Sequence, residues 1–301
     1  MSFKPTKFKT NLKCSAATFQ PPGGVAKTFT NETLHSIAQV LDRDDCLASK
    51  DPGSQALRHQ LPTTYSIPGE AQPEDVPRIV NRVKDHEFFF VDHGANPANE
   101  HYDPSLFLLA LDQQMKFIGV PFFVIVPTVP QKINGDRTAQ NVINFLHSEG
   151  VALHFLKSHQ NRSDDYEEIT LPTGVSVSEL PHMPSGLVAL KKYQGGTIAD
   201  PYLMPLPGYE LAGNHIGEWL SCASGSPMMQ AIFGHTGRAF ELAPDKKPKE
   251  IINPLNKLSD VSNTALERNY VKYRTMMALQ SARSADDAAK LKALEEFYQH
   301  W

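Results

Sequence analysis

Between an apolar run at residues 12–19 and a helix-patterned segment at residues 30–41 lie Pro22, Gly23, Gly24, Val25, Ala26, Lys27, Thr28 and Phe29. Few architectures accommodate a strand that turns into a helix through paired glycines followed by Lys-Thr. Glycine admits positive φ and lets the backbone approach an oxyanion closely. The amides of the turn and of the helix start then point at negative charge. In such a cradle Lys27 neutralises outer phosphates and the Thr28 hydroxyl sits on a magnesium ion. A second apolar run, Phe88, Phe89, Phe90 and Val91, ends in Asp92. It predicts a buried parallel strand with a carboxylate at its C-terminal edge, where ligands bind in open α/β sheets.

The rest of the chain alternates in the same way. Helical patterns occupy residues 30–41, 74–84, 105–116 and 138–149, and apolar strand patterns occupy 122–126 and 151–156. Strands separated by helices predict a mostly parallel sheet covered on both faces, with right-handed crossovers. Residues 51–73 read as an exposed loop, 157–186 as a solvated polar stretch and 200–213 as an irregular Pro-rich segment. The composition shifts after residue 242. The expected division is a nucleotide-binding domain at 1–242, then a linker and helical extension at 243–301.

Composition narrows the function classes. A net charge of −4 supplies no global basic field for nucleic acid, and Lys4, Lys7, Lys9 and Lys13 read as a solvated tail. Three widely spaced cysteines, Cys14, Cys46 and Cys222, do not form a disulfide framework or a zinc site. The histidines show no paired metal-ligand spacing. There is no G-x-S-x-G motif, and His93 is read as a loop residue beside Asp92. No apolar stretch approaches the length of a membrane span, and the expected compartment is the cytoplasm.

A third feature joins the first two. Asp51-Pro52 follows a strand pattern at residues 46–50, one helix after the glycine loop. The loop matches K-G-G-x-G-K-T with Pro22 and Ala26 at the first lysine and third glycine. The Asp51-Pro52 turn matches D-x-D-P-Q-G with Ser49 at the first aspartate. In this order the three features resemble the ParA/MinD family of P-loop ATPases with a deviant Walker A loop, of the plasmid partition or stability kind. The resemblance covers residues 10 to about 220.

It implies a three-layer α/β P-loop sandwich binding ATP and Mg²⁺. It assigns Gly23, Gly24, Val25, Ala26, Lys27, Thr28 and Phe29 to the phosphates, with Pro181 in the late loop that packs on adenine. Thr28 and Asp92 hold the metal, and Lys27 and Asp51 serve catalysis, Asp51 by orienting water. The implied partners are a second copy in a nucleotide-dependent homodimer and DNA or a DNA-bound adaptor. The membrane is not among them, because acidic residues offset the lysines of the terminal helix pattern. Two departures favour binding over turnover. Pro22 supplies neither charge nor N–H, and Ala26 adds a methyl; Lys13 and Lys50 are the candidate replacement cations. The alternatives are a non-hydrolysing assembly subunit and a metabolic kinase or synthetase on the same fold.

Overall fold

The computed structural model describes residues 3–21, 23–50, 57, 61, 63–94, 103–130, 135–159, 166, 169–206 and 208–234. Pro22, Asp51 and the expected extension at 243–301 lie outside the described residues.

The strands are β1 (Cys14–Thr18), β2 (Asp45–Lys50), β3 (Tyr65–Ser66), β4 (Phe88–His93), β5 (Phe122–Thr128), β6 (Leu153–Ser158) and β7 (Ser176–Leu180). They form one sheet in the order β3-β2-β4-β1-β5-β6-β7, with every neighbouring pair parallel. This is the expected doubly covered α/β sandwich. The chain starts at the centre with β1, moves outward to β2 and β3, and returns to lay β4 against β1. It then crosses to β5 on the other side. The carboxyl ends of β1, β4 and β5 therefore flank a topological switch point, the crevice that open α/β sheets offer to ligands.

Four helices interleave with these strands: α1 (Lys27–Val40), α2 (Val76–Val83), α3 (Pro104–Ile118) and α4 (Gly135–Ser148). Each forms for a local reason. In α2, Val76, Ile79, Val80 and Val83 repeat at helical spacing and are buried. In α3, Asp103 caps the Ser105 amide at 2.9 Å, Pro104 opens the first turn, and Gly119 closes the helix at φ 77°. Side-chain alternation gives the sheet two faces. Ala17, Phe19, Ala48, Phe89, Val91, Val124 and Phe155 enter one core with Val80, Phe107, Leu111, Met115, Ile143 and Leu146. The opposite face carries Ala16, Thr18, Leu47, Ser49, Phe90 and Asp92, and α1 packs on it across β1, β2 and β4.

Three expectations are corrected. Within 51–73, Tyr65–Ser66 extends the sheet, and Ile67 and Ala71 are buried, so this stretch is not simply an exposed loop. Within 157–186, β7 forms the sheet edge; its alternating Ser-Val-Ser-Glu-Leu exposes one side and so reads as polar. Within 200–213, two helices form: α6 (Asp200–Leu203), whose Pro201 sits in its first turn where a missing N–H costs nothing, and α7 (Glu210–Ser224). The remaining helices are α5 (Ser185–Gln194) and α8 (Pro227–Phe233). Phe233 of α8 packs on Phe88 and Phe90 at 5.0 and 5.9 Å between ring centroids.

Among the described residues the chain divides into two compact units, one running up to Met183 and resuming at Trp219, the other spanning Pro184–Glu218. The first holds the sheet. In the second, a Cβ on Gly213 of α7 would lie 2.2 Å from the Pro201 carbonyl oxygen, so only glycine allows that approach. Among the described residues no helix is long and apolar enough to cross a membrane.

Candidate functional site

The turn after β1 reaches α1 through two left-handed residues, Gly24 and Ala26, each at φ 69°. For glycine this is free; for alanine it stores strain of about 1 kcal/mol. Ala26 is the N-cap residue of α1, yet no side chain caps the helix, and no acidic residue occupies its first turn. Among the described residues the amides of Gly23, Gly24, Val25 and Ala26 donate to no backbone carbonyl. A Cβ built on Gly23 would meet nothing within 4 Å. An uncapped helix start, loop amides that meet no backbone carbonyl among the described residues, and open space beside Gly23 are what an anion needs.

The side chains converge on the same place. Lys27 is 8% exposed, and its Nζ donates to the Gln20 carbonyl at 2.7 Å, so it lies along the loop rather than in bulk solvent. Thr28 Oγ1 donates to Asp92 Oδ2 at 2.8 Å, joining the start of α1 to the end of β4. Thr18 Oγ1, at the end of β1, lies 3.5 Å from Asp92 Oδ1. Asn31 Nδ2 donates to Thr18 Oγ1 and, at 3.1 Å, to the Lys27 carbonyl. Gln20 Nε2 donates to the Gly135 carbonyl at 2.6 Å, tying the loop to the start of α4. Among the described residues no group of three His, Cys, Asp or Glu forms a metal cage. A cation at Thr28 and Asp92 would take its other oxygens from a ligand or water, the usual arrangement for Mg²⁺.

Phe29 and Pro181 meet through a residue the sequence reading did not select. The Phe29 ring lies 5.6 Å from that of Trp219, whose Nε1 donates to the Pro181 carbonyl at 3.1 Å. Other expectations are corrected. His93 is the last residue of β4 and is 3% exposed. Its ring packs on Phe19 at 5.2 Å and Phe107 at 5.9 Å, on the sheet face opposite Asp92. Neither candidate replacement cation stands at the loop. Lys13 precedes β1, at the amino end of that central strand and so opposite the loop, and pairs with Glu87. Lys50 points to the α3 face, donating to the Gly69 carbonyl at 2.7 Å with its Nζ 4.9 Å from the Phe107 ring centroid. Burial lowers the Lys50 amine to about 8, against the opposing pull of Glu70 and Asp75.

The polar partners Thr18, Gln20 and Asn31 escaped sequence reading because their role depends on which strands are neighbours. Thr18 and Asp92 are 74 residues apart, yet they are register partners in β1 and β4. The only local signal was a polar residue ending an apolar strand.

No protein-family model and no curated protein sequence matches the chain. Solved structures similar to it include the septum site-determining protein MinD of Pyrococcus horikoshii with Mg-ADP. That match has 14% identity over 82% of this chain and 99% of that one, with a TM-score of 0.41. Another is the MinC:MinD complex of Aquifex aeolicus, at 15% identity over 67% and 93% of the two chains and a TM-score of 0.43. A third is apo McdA of Cyanothece, at 13% identity over 69% and 99% and a TM-score of 0.39. At such values likeness carries no functional weight, and the site stands on its own geometry.

Proposed function

We propose that this chain binds a nucleoside triphosphate, ATP, as its magnesium complex at the turn between β1 and α1, and acts as a nucleotide-dependent switch of the ParA/MinD type. The observation that carries this reading is the Thr28–Asp92 contact of 2.8 Å beside a loop with two left-handed residues. Gly23, Gly24, Val25, Ala26 and Phe29 would offer amides to the phosphates, and Pro181 would border the base. Lys27 would leave the Gln20 carbonyl for a phosphate oxygen. Thr28 and Asp92 would hold the magnesium, which on binding neutralises charge on the transferred phosphoryl group. Asp51, outside the described residues, is proposed to orient water.

The proposed output is conformational, with nucleotide state setting affinity for a second copy in a homodimer and for DNA or a DNA-bound adaptor, in plasmid partition or stability. The order of the glycine loop, the Asp51-Pro52 turn and the apolar strand ending in Asp92 is what motivates this reading. A second reading, a subunit that holds nucleotide without turning it over, is favoured by the Ala26 methyl and by the engagement of Lys13 and Lys50 elsewhere.

Calorimetric titration with ATP and GTP, with and without magnesium, tests the site. Magnesium-dependent ATP binding is expected; its absence would overturn both readings. Phosphate release then separates them. Asp51→Ala should retain binding and slow release if the chain is a working ATPase, and affinity without release selects the second reading.

A further inference from the structure

We propose that Asn31 and Thr18 are positioning residues for the divalent cation of the nucleotide complex, acting by holding the Asp92 carboxylate in one orientation. The proposal rests on the nucleotide reading above and extends it to two residues outside the loop.

Ser49, Asp92 and Thr18 occupy one register row across β2, β4 and β1, on the face beneath α1. The carboxylate is thus set between two hydroxyl-bearing strand neighbours, with Thr28 reaching it from the helix. A hydroxyl carries a single proton and can donate in only one direction. Thr18 Oγ1 receives the Asn31 Nδ2–H, so Thr18 is the acceptor in that contact and its own proton turns to Asp92 Oδ1 at 3.5 Å. Asn31 is itself fixed: it is 0% exposed, and the same Nδ2 also donates to the Lys27 carbonyl. The result is a directional chain, Asn31 to Thr18 to Asp92 Oδ1, matched by Thr28 to Asp92 Oδ2 at 2.8 Å.

Thr28 at 2.8 Å and, more loosely, Thr18 at 3.5 Å each contact one carboxylate oxygen, and together they define its plane. With its proton given to Asp92, Thr28 Oγ1 turns its lone pairs towards a cation or its water shell beside that carboxylate. Ser49 Oγ, 2% exposed, has no hydrogen-bond partner among the described residues. It supplies a further polar contact for that shell. Without Asn31, Thr18 is free to rotate its proton away, and Asp92 gains orientations that do not face Thr28.

The test compares the full chain with Thr18→Val, which keeps the side-chain shape but removes the hydroxyl, Thr18→Ser, which retains it, and Asn31→Ala. The primary readout is Mn²⁺ affinity of the ADP complex, measured by electron paramagnetic resonance. The second is ADP affinity in EDTA. Thr18→Val and Asn31→Ala are expected to weaken Mn²⁺ binding by about tenfold, the scale of one hydrogen bond to a charged group. ADP affinity in EDTA should stay within about twofold, and Thr18→Ser should restore Mn²⁺ binding. Unchanged Mn²⁺ affinity in both variants would overturn the proposal. So would equal losses with and without metal, which indicate a merely structural role. If Thr18→Val fails to fold, Asn31→Ala and Thr18→Ser read the same difference. Should the parent chain bind no ADP at all, the nucleotide reading itself fails, an outcome distinct from the other two.

Discussion

The Lys27 ammonium donates to the carbonyl of Gln20 at 2.7 Å, seven residues earlier in the chain, and closes the β1–α1 turn upon itself. Lys27 is therefore both a candidate phosphate ligand and part of the loop's own structure. Removing its charge should abolish magnesium-ATP binding in calorimetry. Lys27→Met, which keeps the aliphatic stem, should cost about 1 kcal/mol in urea unfolding, the net worth of one lost hydrogen bond. Nucleotide binding by Lys27→Met equal to that of the parent would remove the loop from consideration.

Ala26 holds a left-handed conformation at φ 69°. Replacing it with glycine relieves strain in the folded state but loosens the unfolded chain, and the two effects are of similar size. Stability of Ala26→Gly should therefore change by less than about 1 kcal/mol, while nucleotide affinity rises because the methyl no longer stands beside the phosphates. Ala26→Val should lose about 2 kcal/mol or more, since a β-branched residue is strongly disfavoured there. Thermal melts and titrations on the three proteins check both statements.

Lys50 is 1% exposed, with its amine lowered from 10.5 to about 8. Between those values the unfolded chain binds more protons than the folded one, so stability rises with pH. The charged form is the costly one in the fold. Lys50 should add about 3 kcal/mol of stability as pH climbs from below 8 to above 10.5. Lys50→Met lacks this titration, and the difference between its unfolding free energy and the parent's, followed from pH 7 to 11, should vary with that sign. A flat difference would place the amine in water.

Gly213 approaches the Pro201 carbonyl so closely that an added Cβ would stand 2.2 Å from the oxygen. Backbone atoms cannot yield cheaply, so Gly213→Ala should destabilise the protein by about 1–3 kcal/mol despite alanine's better helix propensity. The exposed Leu211 of the same helix offers a control, since Leu211→Ala should change stability little. Equal melting temperatures for the two variants would show that the helix is not held against that carbonyl.

Much of this architecture could be read from local pattern. The Phe88–Val91 run, the helical spacing of Val76, Ile79, Val80 and Val83, and the Gly-Gly turn before Lys27 each carry their structure in neighbouring residues. The short strand Tyr65–Ser66 and the polar strand Ser176–Leu180 could not be read so, because they become strands only through pairing with β2 and β6.

Sequence alone determined the alternation of the main apolar strands and helices as far as β6, the turn able to face an anion, and the lysine, threonine and aspartate suited to a metal-bound phosphate. Those follow from periodicity, glycine's backbone freedom and side-chain chemistry, all of which are local. Tertiary structure alone decided that β4 returns beside β1, which puts Asp92 under Thr28 and next to Thr18. It also turned Lys50 and His93 to the other face, since alternate residues of a strand point oppositely and only sheet order says what each face meets.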